Sequence, residues 1–354
     1  MSASSMLVER EARPVGAPDP SQHLLQFTAG YVPSSALWVA AELKIADLIG
    51  NSAKPVGELA KKTGTNEDAL FRTLRLLAMV GIFAETKPRH FALTPAAELL
   101  RSDHPQSMRD TVVWLADPFH FRIAAELLHS VRTAQPTVEH VTGKPAFEYF
   151  ASDPLEFDRF HLAMTNLSAM AVSAALEAYD FTGFKTIVDV GGGHGFAICS
   201  ILKKYPQMQG VLFDLKDIVP GADKRICDEG LQKRCRTEHG DFFKAVPEGA
   251  DVYFMKHILH DWTDEQATTI LRNCRRAFDN QGKRSGKVVL LEFVVPPGNE
   301  PHPSKIIDIE MLFFPGGRER MEEEWRDLFA GAGFRLTRIV PTKSPFSVIE
   351  AEVA

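Results

Sequence analysis

The chain has 354 residues, which at roughly 100–200 residues per domain suggests two or three domains. Hydrophobic residues make up 45% and charged residues 24%, a balance that excludes a disordered or collagen-like chain. The formal net charge of -6 leaves no global basic field to invite nucleic acid or an anionic membrane.

Met1 to Pro20 mixes Ser, Arg, Glu and Pro without an apolar stretch. Residues 1–20 are expected to be a flexible tail with no secretory signal, which points to the cytoplasm. No apolar run is long enough to span a bilayer. Residues 21–104 are read as the first folded domain. Ser34 to Leu48 carries a broad apolar stripe at helical spacing, and Val56 to Lys62 is a second, short helix. Thr63-Gly64-Thr65 breaks it, and Asn66 is placed to cap the next helix, which Gly81 ends. Phe83 to Leu93 reads as a two-stranded wing turning at Lys87-Pro88-Arg89. This is a winged-helix layout. Its third helix carries Leu70, Leu74, Leu76, Leu77 and Met79, and Glu58, Glu67 and Asp68 interleave with its basic residues. A homodimer interface therefore fits better than DNA binding.

Residues 105–178 read as helices with aromatic inserts, among them Phe119, Phe121, Phe147 and the Phe157/Phe160 pair, with a turn at Asp153-Pro154. Most of these rings belong in a core, and some could wall a pocket for a flat ligand. From 179 to 354 short β-branched runs alternate with helical stretches, the signature of βαβ units on a parallel sheet. The segments beginning at Phe334 and Phe346 read as two closing strands, an antiparallel pair at one edge. The four cysteines form no C-x-x-C pair and read as buried reduced thiols.

Chemistry concentrates at the ends of these strands. Val188-Asp189-Val190-Gly191-Gly192-Gly193-His194-Gly195 follows a strand and opens a helix. Glycines there let a ligand approach main-chain N–H groups. Asp214, at the next strand end, can accept from both hydroxyls of a ribose. Phe196 occupies the third glycine position of a dinucleotide fingerprint, so the spacing suits a nucleoside cofactor without phosphates, such as S-adenosylmethionine, better than a nicotinamide dinucleotide. Asp241 and Phe242 end the third strand and suit adenine; a solvated Asp beside core phenylalanines is the alternative. The fourth strand ends in Lys256-His257-Ile258-Leu259-His260-Asp261. An imidazole there can take a proton near neutral pH, or simply cap the following helix. Glu292 ends the fifth strand inside an apolar run, where it needs a partner. Glu319 lies in a Gly-Gly-Arg-Glu-Arg loop and could equally be an exposed charge.

VDVGGGHG, LFD, GDFF, FMKHILHDW, LLEFVVP and PGGRER, in this order and spacing, resemble the plant-type (caffeic acid/hydroxyindole-like) class I O-methyltransferase family over about residues 22–352. The resemblance implies a Rossmann-like, doubly wound α/β methyltransferase domain preceded by an α-helical winged-helix dimerisation domain. It implies that Gly191 and Gly193 line S-adenosylmethionine, that Asp214 holds the ribose, that Asp241 and Phe242 hold adenine, and that Lys256 and Ser168 touch the cofactor side. His260 would be the general base, with Glu292 and Glu319 fixing its ring. Met164 matches a methionine that sandwiches the acceptor ring, and Met311 matches another across a spacing one residue shorter. Phe119, Phe121 and Phe314 would complete the acceptor pocket. The implied partner is a small aromatic hydroxyl compound, and no metal is expected. Relatives that use the same cofactor for non-methylating chemistry, and a winged-helix DNA-binding regulator, are the rival readings.

Overall fold

The computed structural model describes residues 19–282 and 285–354, so most of the tail expected over residues 1–20 lies outside the described residues. The chain divides into two compact units, one ending at Ala97 and the other running from Glu98 to Ala354. No described helix is long and apolar enough to cross a membrane.

In the first unit, Asp19 caps a helix at Pro20–Thr28 by accepting from the Ser21 N–H. The stripe expected to form one helix forms two, Tyr31–Glu42 and Ile45–Ile49, because Lys44 adopts left-handed φ of 53° and breaks the hydrogen-bond ladder. Val56–Thr63 follows, and Asn66 accepts from Ala69 N to start Glu67–Met79. Leu70, Leu74 and Leu77 face inward at helical spacing and meet buried Ile45, Leu59, Phe83 and Phe91 in the core. The wing is a three-stranded sheet. β1 (Lys54–Pro55) and β2 (Phe83–Lys87) both pair with β3 (His90–Leu93). The sequence reading missed β1, which at two residues is too short to carry a period.

The second unit is built on a seven-stranded sheet. β4 (Thr186–Val190), β5 (Gln209–Asp214), β6 (Cys235–His239), β7 (Val252–Lys256) and β8 (Lys287–Glu292) run parallel. β9 (Phe334–Pro341) and β10 (Ser347–Val353) close it as an antiparallel pair. The order is β6-β5-β4-β7-β8-β10-β9. Register aligns Val190 with Phe213, Asp214 with His239, and Lys256 with Leu291, so the carboxyl ends of the parallel strands form one rim at the topological switch, where open α/β sheets bind ligands. β7 and β8 are apolar along nearly their whole length because both sheet faces are covered. Burying each such Val, Leu or Phe side chain contributes roughly 1.5–3 kcal/mol.

Asp153-Pro154, read as a turn, instead starts the longest helix, Pro154–Ala178: Asp153 Oδ1 accepts from Leu155 N and Glu156 N, and Pro takes the first helical position. Cys199, Cys235 and Cys274 are buried as expected, but Cys227 is exposed at the end of the helix Val219–Asp228.

Candidate active site

β4 delivers the chain into the glycine turn. Gly191 sits at φ of 71°, and a Cβ there would lie 2.4 Å from Ile258 Cδ1, so only glycine lets the turn pack against the end of β7. Gly193 N–H donates to Asp214 Oδ2 at 2.7 Å, and Leu215 N–H to Asp214 Oδ1 at 2.7 Å. Each carboxylate oxygen keeps a second acceptor site, and the Cβ direction of Gly193 is open for 4 Å. An open backbone face beside a half-used carboxylate fits a ribose-bearing ligand. Burial holds Asp214 above the usual carboxylate range, against the two N–H bonds.

Asp241 accepts from Phe243 N at 2.9 Å and meets Lys244 Nζ at 3.2 Å. Phe242 packs edge-on against Trp262, while Asn273 Nδ2 donates to its carbonyl at 2.7 Å. Lys256 is half-buried at the end of β7, and loss of hydration lowers its pKa against the pull of Glu292, Asp189 and Asp261. Asp189, whose carboxyl lies directly under Gly192, was quoted in the motif but given no role. Burial pushes it up to about 7, with Lys256 opposing. The Ser168 hydroxyl donates to Met164 O at 2.5 Å, so its proton is committed to its own helix.

His257 takes left-handed φ of 53°, and the chain then enters a short 3-10 turn, Leu259–Asp261. His260 is 6% exposed and Glu319 2%. The imidazole Nδ1 lies 2.7 Å from Glu319 Oε1, which leaves Nε2 as the free nitrogen, 3.4 Å from Asp261 Oδ1. The two glutamates do different things. Glu319 is the one that reaches the ring. Glu292 Oε1 instead accepts from Ile258 N at 3.0 Å and Leu259 N at 3.1 Å, because β8 lies beside β7 and brings its carboxyl against the backbone that carries His260. Burial alone would lower the His260 pKa, but Asp261, Glu292 and Glu319 outweigh it and push the ring up to about 10. Burial raises Glu292 in turn, with the His260 charge opposing. His257 is driven well below its ordinary value by burial and by the charges of Lys256 and His260.

Sequence reasoning missed Arg320. Its guanidinium is fully buried and donates to Leu259 O at 2.9 Å, Trp262 O at 2.9 Å and Asp264 Oδ1 at 2.9 Å. It thereby clamps both ends of the turn that holds His260. Arg318 N–H adds a bond to His260 O at 2.8 Å, an approach that requires Gly317, whose Cβ would stand 2.0 Å from that oxygen. Backbone carbonyls leave no mark in a sequence, so only the residue pair Gly317 and Arg320 hints at this clamp.

The expected acceptor residues divide. Phe119, Phe314 and Met164 join one aromatic cluster with Trp114, Phe150 and Phe160. Phe147 approaches Trp262 at 5.6 Å, linking that cluster to the His260 turn. Met311 is buried one turn before Phe314. Phe121 makes no ring contact among the described residues and stands apart from the cluster. Two residues along a helix point about 200° apart, so Phe119 and Phe121 cannot both face one pocket.

Comparison with known proteins agrees with this geometry. The model of the O-methyltransferase domain family matches residues 124–335, and that of the O-methyltransferase dimerisation domain matches residues 25–103. The phenazine O-methyltransferase PhzM of Lysobacter antibioticus is 42% identical over 95% of this chain and 97% of its own. The crystal structure of LaPhzM superposes with a TM-score of 0.88 at 40% identity, over 95% of this chain and 100% of that one. NcsB1, an O-methyltransferase from neocarzinostatin biosynthesis, was crystallised with S-adenosylmethionine and 2-hydroxy-5-methyl naphthoic acid. It superposes with a TM-score of 0.77 at 31% identity, over 91% of this chain and 96% of that one. With the glycine turn, the Asp214 carboxylate and the buried His–Glu pair in place, the chain belongs to the O-methyltransferase family with an N-terminal dimerisation domain and is an S-adenosylmethionine-dependent enzyme.

Proposed function

We propose that this enzyme methylates a hydroxyl of a small, flat aromatic metabolite, phenolic or polyketide-like, with His260 as general base and no metal. S-adenosylmethionine, when bound, supplies a methyl group on a sulfonium that is already a strong electrophile. The acceptor is the weak partner, since a phenol has a pKa of about 10. His260, in its neutral form with Nδ1–H on Glu319, takes the phenolic proton at Nε2 as the oxygen attacks. Glu319 holds Nδ1 and steadies the imidazolium that forms, as the orienting acid does in a triad. Asp214 and the Gly191–Gly193 turn hold the ribose side, and Asp241 and Phe242 the adenine. Lys256 and Ser168 line the cofactor side. Met164, Met311, Phe119 and Phe314 wall the acceptor ring. Relatives named for phenazine and naphthoate chemistry support a fused aromatic acceptor.

One observation carries this reading: a buried imidazole, with Nδ1 committed to the Glu319 carboxylate and Nε2 making no hydrogen bond but facing Asp261 Oδ1 at 3.4 Å, stands on a turn packed against the glycine motif. In this reading residues 21–104 form the dimerisation domain, 105–178 wall the acceptor pocket and 179–354 bind the cofactor. Exposed Leu24, Leu25, Phe27, Met79 and Val80 in the first unit suit a homodimer rather than nucleic acid. The experiment is methyl transfer from labelled S-adenosylmethionine to a panel of phenols, naphthols and hydroxyphenazines. Label in an ether product supports the reading. Cofactor binding with no labelled product from any acceptor counts against it and favours the non-methylating chemistry.

A further inference from the structure

A second buried polar cluster lies among the aromatic rings, away from His260. Asp117 caps the helix Pro118–Ala124: its Oδ1 accepts from His120 N at 2.7 Å and from His120 Nδ1 at 3.0 Å. His120 Nε2 faces Glu310 Oε1 at 3.5 Å. The His120 ring stacks on Phe314 with centroids 5.2 Å apart and planes 3° apart, and meets the Trp114 ring edge-on at 4.6 Å. Asp117 is 0% exposed and His120 3%.

Helix capping explains Asp117 Oδ1 and the His120 Nδ1 proton. It does not explain the rest. Asp117 Oδ2, His120 Nε2, Glu310 Oε1 and Trp114 Nε1 are all buried with no hydrogen-bond partner among the described residues. Burying one unpaired polar atom is costly. His120 Nε2 and Glu310 Oε1 partly offset each other across 3.5 Å, but Asp117 Oδ2 and Trp114 Nε1 have no such neighbour among the described residues, and the cluster calls for a partner that arrives with a ligand. Phe314 joins this cluster to the acceptor wall, and Glu310 immediately precedes Met311 on the helix Ser304–Phe313.

We propose that Asp117, His120 and Glu310 form an anchoring station of the acceptor pocket that recognises a second hydrogen-bond-donating substituent, a hydroxyl or amino group, on the aromatic substrate. This rests on the methyl-transfer reading above. Two carboxyl side chains against one imidazole favour a donor there and disfavour a carboxylate substituent. Asp117 or Glu310 accepts from a hydroxyl, and both can accept from an amino group, while His120, locked through Nδ1, sets the depth to which the ring inserts. These are positioning and specificity residues and touch no reacting atom.

The test compares 2-naphthol, 2,7-dihydroxynaphthalene and 7-hydroxy-2-naphthoic acid as acceptors for wild type, Glu310→Gln and His120→Asn. The wild type should favour the diol over 2-naphthol by roughly tenfold or more in kcat/KM, through KM rather than kcat, and should use the acid least. In Glu310→Gln the diol should lose most of that advantage while 2-naphthol is unchanged and the acid improves. His120→Asn should lose the diol advantage without regaining the acid. Equal use of all three acceptors by the wild type, or a uniform loss across acceptors in Glu310→Gln, would overturn the proposal. Calorimetric binding of the same compounds to the S-adenosylhomocysteine complex reads the same preference. It separates a failed station from failed chemistry, because the binding preference must appear even where no probe is methylated.

Discussion

His260 Nδ1 lies 2.7 Å from Glu319 Oε1, and the carboxylate reaches it from a loop 59 residues further along the chain. That single bond sets which imidazole nitrogen is free. Glu319→Gln keeps the shape and removes the charge that steadies the imidazolium. We expect it to lower kcat by roughly ten- to hundredfold, within the range that general-base help contributes. Steady-state kinetics with an excess of both substrates checks this, and an unchanged kcat would remove Glu319 from the proton-transfer machinery.

Asp214→Ala removes the acceptor beside the open face of Gly193. Hydrogen bonds to a charged group are worth about 1.5–3 kcal/mol, so S-adenosylmethionine binding should weaken roughly ten- to hundredfold. Isothermal calorimetry reads it directly. An unaltered affinity would exclude Asp214 from the ribose site.

Arg320→Ala strips the clamp from Leu259 O and Trp262 O. Leaving buried carbonyls unpaired costs about 1–3 kcal/mol each. The Asp264 partner is half-exposed, and its share is small. The expected loss is about 2–6 kcal/mol in denaturant unfolding, together with a fall in kcat as the His260 turn loosens. A variant with normal stability and normal turnover would show that the clamp is dispensable.

The pH dependence has a definite sign. His260 is pushed up to about 10, so below that pH the cofactor-free site holds an imidazolium, which opposes the sulfonium of S-adenosylmethionine and not the neutral thioether of S-adenosylhomocysteine. Binding of the cationic cofactor and release of the proton are therefore linked. S-adenosylmethionine should bind more tightly as pH rises from 7 to 9, by roughly threefold or more, while S-adenosylhomocysteine changes less. His260→Asn should remove most of that difference. Asp261, pushed up to about 6 by burial, adds a slope of the same sign at lower pH. Parallel curves for the two ligands in the wild type would contradict the assignment.

His260, Glu292 and Glu319 offer ligand atoms within 4.8 Å of one another, a spacing that could also suit a cation. Glu292 Oε1 is taken by two backbone N–H groups and His260 Nδ1 by Glu319, while Oε2 of each glutamate is buried with no hydrogen-bond partner among the described residues, so metal removal is the discriminating test of the metal-free reading. Dialysis against EDTA should leave turnover unchanged. Loss of activity restored by a divalent cation would replace the general-base account with a metal-assisted one.

Much of this was legible in the sequence because strand ends carry the chemistry. Short β-branched, apolar runs located β4, β5, β7 and β8, and each ended on a residue that the fold brings to the rim. What was not legible depends on backbone partners and facing. Arg320 works through carbonyls, which have no residue signature. Phe121 looked equivalent to Phe119 until the helical turn separated them. Lys44 breaks a helix that its apolar stripe alone would have continued. His120 was hidden between two aromatic residues, and its carboxyl partners lie 3 residues before it and 190 after it, a pairing that only the fold makes visible.

Single-turnover methyl transfer by His260→Gln, with cofactor and acceptor both saturating, tests the general-base account most directly. The predicted result is a rate lower by roughly 10²–10⁴-fold while S-adenosylmethionine binds no more weakly than to the wild type. A near-wild-type rate at saturation would contradict it.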